Sequence, residues 1–288
     1  MEGEDARRVA LTYSIVARDA DSGELGVAVQ SRAFACGAPV MWARPGVGAV
    51  ATQAFGERSY GPLGLDLLAA GKTPEQALAA LVTADPQSEV RQVAIVSADG
   101  AVAAHTGEAC IPDAGHQIGE GYSVQANIMR SPDVWPAMAD AFESADGSLA
   151  RRMLRALEAA QEAGGDWRGM QAAGLLLVPV EGKPWEAVAD LRVDDHPEPV
   201  RELQRLLDLH DGYAAIYEGE PPRGEAARSF GMAEIDVGLA DLMDAAHAGD
   251  VERARQLIAP LLGEEPRWAM LVRVLGSRGL LPHADEIV

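Results

Sequence analysis

The sequence predicts an α+β fold, with two mostly antiparallel sheets stacked between helical layers and a small all-α domain at the C-terminal end. Three observations carry this. Apolar runs of strand length come in two series, each followed by a pair of segments with helical spacing. Turn residues between successive strands leave room only for tight connections, which makes neighbours antiparallel. Past residue 230 the strand pattern stops and only amphipathic helical patterns remain.

Residues 1–11 are polar and read as a poorly ordered lead-in. Residues 12–17 and 25–31 then form two apolar or β-branched strands, joined by Asp19-Ala-Asp-Ser-Gly23, whose side chains bond their own backbone. Residues 38–44 and 47–53 form a second strand pair around Pro45-Gly46. Leu63, Leu67 and Leu68, then Ala77, Leu78, Leu81 and Val82, fall at helical spacing, with Thr73-Pro74 and Gln76 marking the start of the second helix. Residues 93–97 and 101–106 make a hairpin across Asp99-Gly100, and 121–129 a further strand. Two amphipathic helices follow, one carrying Val134, Trp135, Met138 and Phe142, the other Leu149, Met153, Leu154, Leu157 and Ala160. Residues 172–180 and 187–193 read as strands and 197–210 as a helix that buries Val200, Leu203, Leu206 and Leu207. Proline, glycine and charge make 214–230 a linker. Helices at 239–247, 251–262 and 267–275 complete the domain 231–288, with Asp250 as an N-cap and Gly263 as a stop.

Composition narrows function. A formal charge of −20 argues against phosphate-backbone partners, so nucleic acid is excluded as a partner. No stretch approaches the roughly 18 unbroken apolar residues of a membrane span. The N-terminus lacks the apolar core of a signal peptide, which predicts a cytoplasmic address. Lys72 and Lys183 are the only lysines, so most positive charge is guanidinium that cannot act as a base. Cys36 and Cys110 read as buried small hydrophobes, with no Cys/His cluster around them. Asp194-Asp195-His196 alternates across a strand and caps the helix after it better than it holds a metal; no metal and no cofactor are expected.

The stretches TYSIVARD, GELGVAVQSR, GVGAVATQAF, YGPLGLDLLAAG, AAHTG, GYSVQANIM and DLRVDDHPEPVRELQRLLDLH resemble the bacterial domain-of-unknown-function family 1028, over about residues 12 to 213. The opening hairpin also resembles that of the N-terminal-nucleophile (Ntn) hydrolases, most visibly the proteasome β-subunits. The resemblance implies a four-layer αββα sandwich for 12–213, and the small helical domain 231–288 resembles a peptidoglycan-binding module. It also implies hydrolysis of a small amide or related C–N bond, the substrate being a small-molecule amide or a cell-wall fragment. A non-catalytic protein that binds a small molecule, glycan or peptide on the same fold is the alternative. A homodimer is the expected assembly.

In such hydrolases the first residue attacks through its hydroxyl, and its free α-amine, with a pKa of about 7.7 to 8, takes the proton. Thr12 matches the nucleophile position. Here Leu11 stands where typical members have the initiator methionine, so the mechanism needs the Leu11–Thr12 bond cleaved or translation begun at Leu11. Gln30 replaces the proteasomal aspartate and no lysine occupies the activating position. Asn127 is the candidate oxyanion donor, a role worth about 3 kcal/mol. Ser31, Arg32, Gln53, His105 and Gln125 are the candidate substrate-binding residues, and Thr12, Ser31, Asn127 and at least one of Gln53 or His105 are expected to converge around one cleft. His116, after Pro112-Asp-Ala-Gly, reads as loop.

Overall fold

The computed structural model describes residues 9–10, 12–217 and 228–288. The expected lead-in therefore lies outside the described residues except at 9–10, and the expected linker does so over 218–227. Two units divide the chain, Met1–Gln204 and Arg205–Val288.

The first unit holds two antiparallel sheets. One contains β1 (Val9–Ala10), β4 (Met41–Arg44), β5 (Gly48–Phe55), β6 (Arg91–Ser97) and β7 (Val102–Thr106). The other has the order β11 (Ala189–Val193), β10 (Ala172–Val178), β3 (Leu25–Ser31), β2 (Thr12–Arg18), β9 (Tyr122–Ala126) and β8 (Gly115–Gly119). In the β2–β3 turn, Asp19 Oδ1 accepts the N–H groups of Asp21 and Ser22, and Gly23 takes φ +74°. This is the turn chemistry that the sequence encodes.

The inner faces of the sheets meet through a core of Val16, Val27, Val29, Ala49, Ala51, Ala94 and Val96. On the outer face of the first sheet lie α2 (Tyr60–Ala69) and α3 (Pro74–Ala84), burying Leu65, Leu78 and Leu81 against Val50, Val93 and Ile95. Helix α3 starts on a reciprocal capping box between Thr73 and Gln76. The outer face of the second sheet is covered by α4 (Val134–Ser144) and α5 (Leu149–Glu162), the latter burying Met153, Leu154 and Leu157.

Local corrections have simple causes. Residues 37–40, expected as strand, form the short helix α1 (Gly37–Val40) before β4. His116, expected as loop, lies in β8 (Gly115–Gly119), a strand whose polar sequence GHQIG gives no alternation to read. The lead-in contains β1, which pairs Val9 with Phe55 and Ala10 with Ala54. Strand β5 is thus bordered on one side by β6 and on the other by β4 and then β1, end to end.

Helix α6 (Pro199–Tyr217) contains the division between the units. Within the second unit, α7 (Glu234–His247), α8 (Val251–Glu264), α9 (Trp268–Ser277) and α10 (Ala284–Ile287) enclose Leu242, Ala246, Ile258, Val272, Leu281 and Ile287. Asp250 caps α8 by accepting the Arg253 N–H at 3.1 Å. Gly263 does not stop that helix, which runs to Glu264.

Candidate functional site

Thr12 opens β2 with its neighbours set by register. It pairs with Ser31 of β3, and its carbonyl accepts the Asn127 backbone N–H at 3.1 Å, one step beyond the Tyr13–Ala126 pair of β9. Because side chains alternate along a strand, Thr12 and Ser14 face the other sheet while Tyr13 faces α5, where its hydroxyl donates to Gln161. Ser123, Gln125 and Asn127 share the inward face, as do Gln53, Gln92 and Thr106 on the opposing sheet.

These groups form one buried mesh. Gln125 Nε2 donates to Ser14 Oγ at 2.6 Å, and Ser14 Oγ donates to Gln53 Oε1 at 2.6 Å. Gln53 Nε2 donates to the carbonyls of Thr12 and Gln125, both at 3.3 Å, and to Gln92 Oε1 at 2.7 Å. Asn127 Nδ2 donates to Gln92 Oε1 at 2.8 Å and to the Thr12 carbonyl at 3.3 Å. Gln92 Nε2 reaches the carbonyls of Ala126 and Gly115 and the Thr106 hydroxyl.

The backbone fixes which way each amide points. Main-chain carbonyls can only accept, so Gln53 and Gln92 must each turn their NH2 toward the carbonyls beside them. Gln92 Oε1 then faces Asn127, which must answer with its own NH2. Asn127 Oδ1 is left buried without a partner among the described residues, and so is Thr12 Oγ1. The sequence reading expected Asn127 to offer a donor to an oxyanion; here its donors are engaged and it presents an acceptor.

Thr12, Gln53, Gln125 and Asn127 therefore come together, with Ser31 beside Thr12 in register. Two expected members do not join them. His105 lies on the other face of β7, where alternation puts it opposite Val93, and its Nε2 meets the Ser88 carbonyl at 2.9 Å. Arg32 is exposed, and its guanidinium donates to Gln171. Sequence reasoning missed Gln92 and Ser14. Gln92 falls just outside the strand that the sequence shows over 93–97 and is the second residue of the observed one.

Every residue of the mesh that bears an expected role is closed to solvent: Thr12, Ser31, Gln53, Gln125 and Asn127 each have a relative exposure of 0 %. The alternative nucleophiles are silent. Burial, followed by the charge of Asp194, pushes the Cys36 thiol up to about 12, so little thiolate exists at neutral pH. Burial likewise holds the Tyr13 phenol well above its usual range. Among the described residues no three His, Cys, Asp or Glu side chains are grouped to hold a metal. His196 Nδ1 instead accepts the Glu198 N–H, ahead of α6.

A model described as a family of unknown function, DUF1028, matches residues 12–203. Among solved structures, the chain is similar to protein SPO2555 from Silicibacter pomeroyi, described with the same family, at 30% identity and a TM-score of 0.64; the match covers 69% of this chain and 85% of that one. The Anbu (Gly-1) mutant from Hyphomicrobium sp. strain MC1 aligns over 72% of this chain and 96% of its own, at 13% identity and a TM-score of 0.31, too low to carry a fold across. No curated protein matches.

Proposed function

The chain belongs to the family of unknown function DUF1028, a membership that brings no activity with it, and we propose from the Thr12 site that it is an amidohydrolase of the N-terminal-nucleophile type. One observation carries the reading. A threonine hydroxyl is held in the interior with no partner among the described residues, at the mouth of a strand whose carbonyl is gripped by two side-chain amides. An unpaired buried hydroxyl costs about 1–3 kcal/mol, so a reason for keeping it is required, and nucleophilic attack is one.

In this reading the two sheets and their helices are the four-layer αββα sandwich of Ntn hydrolases. Cleavage before Thr12 gives residue 12 a free amine. In an extended strand the N–H and C=O of a residue point to the same side, so that amine projects toward Asn127, as the Thr12 carbonyl does. Asn127 Oδ1 is then an acceptor suited to orient it. The amine takes the hydroxyl proton as Oγ1 attacks the carbonyl of a small amide or cell-wall fragment, passes it to the nitrogen that leaves as the amine product, and then takes a proton from the water that hydrolyses the acyl-enzyme and returns it to Oγ1. The domain 231–288 serves as a glycan-binding module of the peptidoglycan type, in a cytoplasmic homodimer. No cofactor enters this scheme.

A binding protein on the same fold is the second reading, and the closure of Thr12 favours it: β1 holds the preceding chain in the opposite sheet. Mass spectrometry of protein made from its native locus separates the two. The enzyme reading expects a chain that starts at Thr12, hydrolyses small amides or muropeptides, and loses that activity on Thr12→Ala with its fold intact. Recovery only of chains in which residue 12 is internal, inactive on such amides, leaves the binding protein.

A further inference from the structure

The mesh does not end at Gln92. Thr106 Oγ1 accepts from Gln92 Nε2 at 2.9 Å and lies 2.8 Å from His116 Nδ1. A hydroxyl has a single hydrogen, and Gln92 Nε2 is fixed as a donor by the Gly115 and Ala126 carbonyls. Gln92 thus occupies one lone pair of Thr106, whose hydrogen is free to go to His116. Strand β8 brings the ring there because His116 stands opposite Gln125 in register, on the face turned toward β7.

We propose that His116 is a positioning residue for the Thr12 site, held as the neutral tautomer with hydrogen on Nε2, its Nδ1 accepting the Thr106 hydroxyl and so keeping a Thr106 lone pair turned to the Gln92 amide, which the Gly115 and Ala126 carbonyls orient and which meets Asn127 at the Thr12 carbonyl. A proton on Nδ1 would face Thr106 with a second donor and force its hydrogen away. Burial, then the charge of His105 on the neighbouring strand, holds the His116 imidazole below its usual range, in keeping with a neutral ring. Its bearing on catalysis rests on the function proposed above; the tautomer and the coupling to Asn127 do not.

NMR of the 15N-labelled full-length chain tests this. At neutral pH the His116 ring is expected to carry its proton on Nε2 alone. Hydrogen exchange of the Gln92 and Asn127 carboxamides is expected to quicken roughly fivefold in Thr106→Val and His116→Phe, the worth of one hydrogen bond near 1 kcal/mol. Thr106→Ser and His116→Asn, which restore a donor and an acceptor, are expected to return it toward the parent. A role in packing alone predicts the reverse order, the smaller His116→Asn being more disturbed than His116→Phe, and that result, or a proton on Nδ1, overturns the proposal. If His116→Phe does not fold, the position of the ring proton of His116 in the parent chain decides by itself. The same pattern is expected in Thr12→Ala, so a failed nucleophile leaves this inference standing and a failed pattern leaves the nucleophile untouched.

Discussion

Arg91 and Asp85 are paired at 2.8 Å with side chains only 6% and 12% exposed, on the side of β6 remote from the Thr12 mesh. Burial alone would raise the Asp85 carboxyl. Hydrogen bonds from Arg91, the Gln87 N–H and the Tyr60 hydroxyl, with the Arg91 charge, outweigh it and hold the group below its ordinary 3.8. Arg91 also donates to the Phe55 carbonyl and to Gln87. A carboxyl depressed by folding stabilises fully above its unfolded value, about pH 4, and loses that contribution as pH falls through the folded value. Asp85→Asn should therefore cost about 2 kcal/mol in urea denaturation at pH 7, with the gap to the parent narrowing as pH drops below about 4 and on through the lower folded value. A gap that stays constant with pH would remove the ion pair from the account.

At the scale of elements, close approach sets the demands. Helix α2 crosses β4 where Gly61 meets Trp42, and a Cβ at Gly61 would come within 2.2 Å of the indole Cγ. Gly61→Ala should push α2 off the sheet and cost about 1–3 kcal/mol, read from the thermal midpoint; an unshifted midpoint would mean that the indole simply turns aside. The hairpins and capped helices were legible because their signals are local: Asp19 to Gly23, Asp99-Gly100, the Thr73 box, Asp250. The buried amides at Gln53, Gln125 and Asn127 were legible as polar residues in apolar strands. What the sequence withheld was the face each strand presents. VAAHT alternates whichever way it is turned, and only packing decides that Thr106 looks inward and His105 outward. Gln92 stood at a strand end, where an amide raises no question until Gln53 is found beside it. The direction of the Asn127 amide depends on carbonyls of three strands and has no local signal at all.

At the scale of the whole molecule, the segment before Thr12 has a place in the sheet. Strand β1 belongs to one sheet and β2 to the other, so any chain that begins at Thr12 also gives up the backbone partner of Ala54 and Phe55. An uncovered strand edge is a template for another strand. Loss of the segment would make the protein adhesive at the place where its chemistry is proposed to begin. Chains starting at Thr12 should self-associate more strongly with concentration in sedimentation velocity than chains that keep β1, and equal behaviour would show that this edge is shielded by other means. In the proposed cleavage, release of residue 12 and exposure of this edge would be one event, and any strand that filled the seam would compete for the same few backbone groups.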